Sequence, residues 1–206
     1  MTDAITVYSD YVCPFCYLGR ESLDRYLADR EEPLEIDWHP FDLRANKRRP
    51  DGSIDHAVDD GKNDEYFEQA RRNVRRLQER YDVEMTLEIA MEVDSLPAQV
   101  VSARVQRTEP YETWLAFDEA LLDALWQAGR DIGDEAVLVD IATEVGLDAA
   151  VVHDSLAAEE SREALHEQFA EAREAGVTGV PTFVHDGHAA RGAVPPEQLQ
   201  RLVEGV

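Results

Sequence analysis

Lysine is almost absent from this chain. Lys47 and Lys62 are the only two in 206 residues, so 18 of the 20 basic side chains are arginine. Cysteine is equally scarce, at two residues, which excludes a disulfide scaffold as the source of stability. No apolar run approaches the roughly 18 residues of a membrane-crossing helix, so no membrane association is expected. Against 20 bases stand 44 acids, for a net charge of −24. Phosphate binding needs clustered cations, and this field repels polyanions, so nucleic acid is not an expected partner. The acidity is spread along the chain rather than gathered in a tail. That distribution suits strong salt, where the Debye length contracts to about 3 Å at 1 M and self-repulsion is screened. Met1-Thr2-Asp3-Ala4 shows neither a basic n-region nor an apolar h-region, and a halophilic, cytoplasmic protein is expected.

Both cysteines lie in one tetrapeptide, Cys13-Pro14-Phe15-Cys16. Before it, residues 4–10 form a β-branched strand ending in turn formers. After it, Leu18, Leu23, Tyr26 and Leu27 recur as on a helix. The first thiol therefore falls at a helix N-terminus, where free N–H groups and the dipole favour an anion. The second falls one turn later on the same face, within reach of a disulfide. Pro14 suits the first helical position. Two other uses of the pair are weaker. A zinc site would need His185 and His188 as the remaining ligands, without a second knuckle. A staple across so short a loop constrains little of the unfolded chain. Redox chemistry is the expectation, with no metal and no organic cofactor.

Residues 34–41 alternate as a second strand, with Pro40 indicating an edge or a strand end. Residues 44–62 read as a polar loop around Pro50-Asp51-Gly52. Phe67, Ala70, Val74, Leu77 and Tyr81 then trace one helical stripe, with an arginine-rich face opposite that Glu68–Arg72 and Arg75–Glu79 pairs would balance. Helices follow over 97–107, 111–128, 134–145, 148–156 and 160–175. Phe117, Leu121, Leu122, Leu125 and Trp126 belong to their core. The period changes again at Val177, giving a strand to His185, a turn at Asp186-Gly187, a returning strand at 188–193 and a last helix after Pro195-Pro196. The order is β-α-β, a helical block, then α-β-β-α. It divides the chain into an α/β unit of residues 1–43 and 158–206 and a helical insertion of residues 44–157.

This order resembles that of the thioredoxin-fold, DsbA-like oxidoreductases, and within them the cytosolic FrnE-type branch. The segments that carry the resemblance are residues 8–19 around CPFC, Trp38-His39-Pro40-Phe41-Asp42-Leu43, Gly129-Arg130-Asp131-Ile132 and Gly176 to Phe183. The resemblance implies a thioredoxin fold with a large α-helical insertion over the active site. It implies that Cys13 is the nucleophile, Cys16 the resolving thiol and Pro181 a cis-proline packed against them. Val180 would offer its main chain to a thiol or disulfide substrate, protein or small molecule, with Pro14 and Phe15 beside it. A separate redox partner would complete the cycle. The strongly oxidising periplasmic relatives carry histidine between the cysteines where Phe15 stands. A phenyl ring can neither donate to a thiolate nor carry charge, so a less oxidising disulfide is expected here. Asp10 and His39 are near enough in sequence to be weighed as site residues. A cap or solvated carboxylate is the plainer role for Asp10, and a core or surface histidine for His39. Two further functions remain open on the same fold. One is a glutathione-dependent isomerase or transferase, whose members usually place serine at the position of Cys13. The other is a peptide-binding chaperone using the helical cap as a groove.

Overall fold

The computed structural model describes residues 3–205. Strand β1 (Asp3–Ser9) buries Ile5 and Val7, and β2 (Leu34–Pro40) buries Leu34, Ile36 and Trp38, each at every second position. The two pair in parallel from Asp3↔Leu34 to Ser9↔Pro40. Parallel neighbours need a crossover, and α1 (Pro14–Ala28) supplies it. Strand β3 (Thr182–His185) runs antiparallel to β1, and β4 (His188–Arg191) antiparallel to β3. Asp186 and Gly187 take φ of 47° and 76° at the hairpin, the left-handed values its tight turn requires. The sheet order β2-β1-β3-β4 puts β1 inside and β2 at an edge, which is where Pro40 can be accommodated. A last helix, α8 (Pro196–Glu204), packs on α1, β3 and β4. This is the thioredoxin arrangement expected from the sequence.

Between β2 and β3 lie a 3-10 turn (Ala45–Lys47) and six helices. These are α2 (Asp64–Tyr81), α3 (Leu96–Thr108), α4 (Tyr111–Trp126), α5 (Glu135–Glu144), α6 (Ala149–Ala157) and α7 (Glu159–Glu174). Asn63, Asp134 and Asp148 cap α2, α5 and α6 by accepting the N–H groups of Tyr66, Ala136 and Ala150. Trp114, Phe117, Leu121, Leu125 and Trp126 are fully buried on α4, as core. Each such side chain contributes about 1.5–3 kcal/mol through removal of apolar surface from water. A buried ionic cluster ties α1 to α4. Arg20 pairs with Asp118, Asp24 and Glu119, and Asp118 also accepts from the Tyr11 hydroxyl at 2.6 Å.

The arginine face of α2 is solvated as expected, but its partners differ. Arg71 pairs with Glu68 at 3.0 Å, Arg72 donates to Gln69 at 2.8 Å, and Arg75 reaches Glu88 in the segment after α2. Among the described residues no helix is long and apolar enough to cross a membrane.

Candidate active site

Cys13 is the N-cap residue of α1, with extended backbone (φ −92°, ψ 114°), and Pro14 is the first helical residue. The turn before it is closed by the Cys13 N–H donating to Asp10 O at 3.0 Å. Trp126 Nε1 donates to Tyr11 O at 2.9 Å and holds that turn against α4. Both thiols are free and nearly covered, at 4% exposure. They are not equivalent. Burial pushes the Cys16 thiol well up, and its hydrogen bond to Cys13 adds to the effect by holding the proton on Cys16. Cys13 instead stands at the positive end of α1, and its Sγ lies 3.7 Å from Val180 O.

Asp10 is not the solvated residue that its turn position allowed, and its carboxylate does more than cap that turn at Val12 N. It is fully buried, and burial pushes its carboxyl up to about 6. Four donors oppose that rise: Ser95 Oγ at 2.5 Å, Leu43 N at 2.9 Å, Gln99 Nε2 at 3.2 Å and Val12 N at 3.3 Å. On the Cys16 thiol the Asp10 main chain and carboxylate act in opposite directions, the main chain lowering it and the negative charge raising it. Ser95 and Gln99 come from α3 and its N-terminus. Sequence reasoning passed over both, because Ser95 before Leu96-Pro97 looks like an ordinary N-cap. Its hydroxyl makes no cap bond and turns to Asp10 instead.

The Val180–Pro181 peptide bond is cis. Thr182 Oγ1 donates to Gly179 O at 2.8 Å, and Gly192 N to Pro181 O at 2.8 Å, so both sides of the proline are anchored. Gly19 on α1 makes room for it. A Cβ there would sit 3.0 Å from Pro181 Cγ and 3.2 Å from Phe183 Cζ. A pocket of about 210 Å³ opens in front of this ensemble, bordered by Cys13, Pro14, Phe15 and Val180. Its other wall comes from the loop of residues 43–62, from α2 and from residues 89–91. The segment that read only as a polar loop is therefore part of the site.

His56 lines this pocket, whereas His39 and His185 lie elsewhere. His39 packs against Tyr8 with ring centroids 4.8 Å apart and tilted by 36°, and its Nε2 is 3.4 Å from Glu171 of α7. His185 faces Asp3 at 3.1 Å, at the start of β1, whereas the cysteines follow that strand's end. Two cysteines past one end of the strand and two histidines at the other cannot close a zinc site.

Residues 4–204 match the family model of the DSBA-like thioredoxin domain. The chain is 28% identical over 208 residues to YwbO, an uncharacterized protein of Bacillus subtilis, covering 98% of this chain and 96% of that one. Among solved structures it is similar to a probable DsbA oxidoreductase from Streptomyces coelicolor, with a TM-score of 0.79, 21% identity, and coverage of 98% and 88%. A 2-hydroxychromene-2-carboxylate isomerase gives a TM-score of 0.75 at 19% identity, covering 97% and 92%. The cytosolic disulfide reductase DsbM from Pseudomonas aeruginosa, solved with GSH, gives 0.63 at 17%, also covering 97% and 92%.

Proposed function

We propose that this protein, which belongs to the DSBA-like thioredoxin domain family, is a dithiol–disulfide oxidoreductase working through Cys13 and Cys16. One observation carries the reading. The Cys13 sulfur stands at the N-terminus of α1, beside Val180 O, on the wall of an open pocket, with Cys16 behind it. In the proposed reaction the Cys13 thiolate attacks a substrate disulfide and expels one half as a thiolate, leaving a mixed disulfide. Cys16 then attacks Cys13 Sγ, closes the protein disulfide and releases the second half.

Resolution requires a base, because burial keeps the Cys16 proton in place. Asp10 is that base in this reading. A carboxyl at about 6 is ionised at neutral pH yet basic enough to accept a proton in a dry site. Val180 and Pro181 receive the substrate main chain, and Pro14 and Phe15 line its path. Two cysteines favour redox exchange over a glutathione-dependent isomerisation, which needs only one activating side chain.

The same reading places the chain in the FrnE-type branch and in a salt-rich cytoplasm, with residues 44–157 as a separate helical insertion. The sparse cysteine usage supports that compartment, as does a cytosolic disulfide reductase among the similar folds. Mass spectrometry of single-cysteine variants tests the chemistry. Cys16→Ser is expected to accumulate a mixed disulfide with a substrate thiol at Cys13, and Cys13→Ser to form none. No adduct on Cys16→Ser, with Cys13 reduced and the protein folded, refutes the assignment.

A further inference from the structure

We propose that the pocket beside Cys13 selects small disulfides and thiols bearing carboxylates, against the sign of the protein's overall charge. The inference rests on the dithiol reading above and names its substrate class. The chain has two lysines in 206 residues, and both Lys47 and Lys62 line this one pocket. Arg44 is the third cation of the lining, and Asp60 the only carboxylate. Across the whole chain acids outnumber bases 44 to 20, so the local balance is reversed.

Asp60 cannot neutralise all three cations. Lys47 Nζ lies 3.2 Å and Lys62 Nζ 3.5 Å from the same Asp60 oxygen. Arg44 donates to Ala90 O at 2.6 Å and has no ion-pair partner among the described residues. Three cations less one carboxylate leave two positive charges facing Cys13, inside a molecule of net charge −24. A cleft lined by one sign of charge with low-dielectric walls focuses its field on whatever enters. Lysine ammonium groups on flexible stems suit carboxylates of varied spacing better than a rigid fork does.

Apart from His56, the remaining wall is apolar or aromatic. Tyr66 and Met91 are 50% and 42% exposed, and both border the pocket. An occupant therefore carries an apolar stem to cover these side chains and one or more carboxylates to meet the lysines. The pocket volume of about 210 Å³ suits a small molecule. Its disulfide RSSR is attacked by the Cys13 thiolate, giving Cys13–S–S–R and one RS⁻. Cys16 then displaces the second RS⁻. Two electrons pass from the protein dithiol to RSSR, and the two protons leave with two RSH.

The test uses the reduced full-length protein at the lowest salt at which it stays folded. Its oxidation is timed with three disulfides of similar size: dianionic 3,3′-dithiodipropionate, neutral bis(2-hydroxyethyl) disulfide and dicationic cystamine. Each rate constant is divided by that of the neutral thiol N-acetylcysteinamide with the same disulfide, which removes intrinsic leaving-group differences without adding a charge preference. The normalised anion-to-cation ratio is expected to exceed one, although the whole protein is strongly acidic. In Lys47→Gln/Lys62→Gln it should fall about tenfold. Arg107→Gln/Arg201→Gln removes the same formal charge outside the pocket and should leave the ratio in place. A ratio below one, or equal falls in both double variants, overturns the inference while leaving the dithiol chemistry standing. Failure of all three disulfides to oxidise the pair would instead strike at the dithiol reading itself. An acidic peptide disulfide reacting about tenfold faster than dithiodipropionate would overturn the small-molecule assignment in favour of a protein segment.

Discussion

Replacing Asp10 by asparagine gives the sharpest test of the buried acid, because two opposed effects meet there. Burial disfavours the carboxylate, whereas four hydrogen-bond donors favour it. Burial wins, and the group moves from its ordinary 3.8 to about 6. The native state then binds more protons than the unfolded state between these two values. Stability consequently falls as pH rises through that window, and the loss is complete above it. A shift of 2.2 pH units corresponds to about 3 kcal/mol. For a chain of this length that is about 6–12 °C in Tm. Denaturant titrations of wild type and Asp10→Asn, run in molar salt at pH values from 4 to 7.5, isolate the effect. The other acids titrate in both proteins and cancel in the difference. Wild-type stability relative to the variant is expected to decline by about 2.4 kcal/mol across the series, since part of the effect is already lost at pH 4. A flat difference, or one that climbs with pH, would mean that the four donors outweigh burial, and Asp10 would then be a poor base for Cys16.

Three other expectations follow from the same geometry. Equilibration against glutathione should place the Cys13–Cys16 couple well below the roughly −120 mV of the strongly oxidising periplasmic enzymes, since Phe15 offers the thiolate nothing; a potential in their range would refute this role of the dipeptide. Gly19→Ala gains up to about 1 kcal/mol of helix propensity but drives a methyl into Pro181 and Phe183, an overpacking cost of about 1–3 kcal/mol. Net destabilisation and slower disulfide exchange are expected, and a stabilised, fully active variant would show that α1 can move away at no cost. Arg20→Met strands the buried Asp118 with only neutral partners and should cost about 3–5 kcal/mol in denaturant titrations. Adding Asp118→Asn should recover much of that, and strict additivity of the two changes would argue against the pair.

The fold was legible wherever burial imposed a period. Alternation marks β1 and β2 within a residue of their observed ends and the Asp186-Gly187 turn falls where expected, whereas α2 begins at Asp64, ahead of its stripe, and β3 begins only at Thr182 rather than near Val177. The cysteine pair was legible for a different reason, since two thiols at a strand-to-helix junction have few other uses. What escaped the sequence depends on contacts between distant segments. Asp10 and Ser95 are 85 residues apart, and no local pattern says that one hydroxyl turns from its own helix to the other's carboxylate. The loop of residues 44–62 looked merely polar because its apolar and cationic side chains act only when folded over Cys13. Its one visible clue was the placing of both lysines there.

That clue and the Asp10 contacts give the helical insertion more than a covering role. From α3, Ser95 and Gln99 supply two of the four hydrogen bonds that hold the Asp10 carboxylate. From the loop, α2 and the segment of residues 89–91, Lys47, Lys62, Tyr66 and Met91 form the other wall of the pocket that Cys13 borders. The α/β unit alone thus carries the thiols and two of the four donors around the acid beneath them, Val12 N and Leu43 N, but none of the cations above them. An inserted segment that touches the site at both places can retune proton transfer and substrate charge without altering CPFC. Divergence of substrate among proteins sharing this thiol pair is then expected to reside in the insertion, on side chains that do no chemistry of their own.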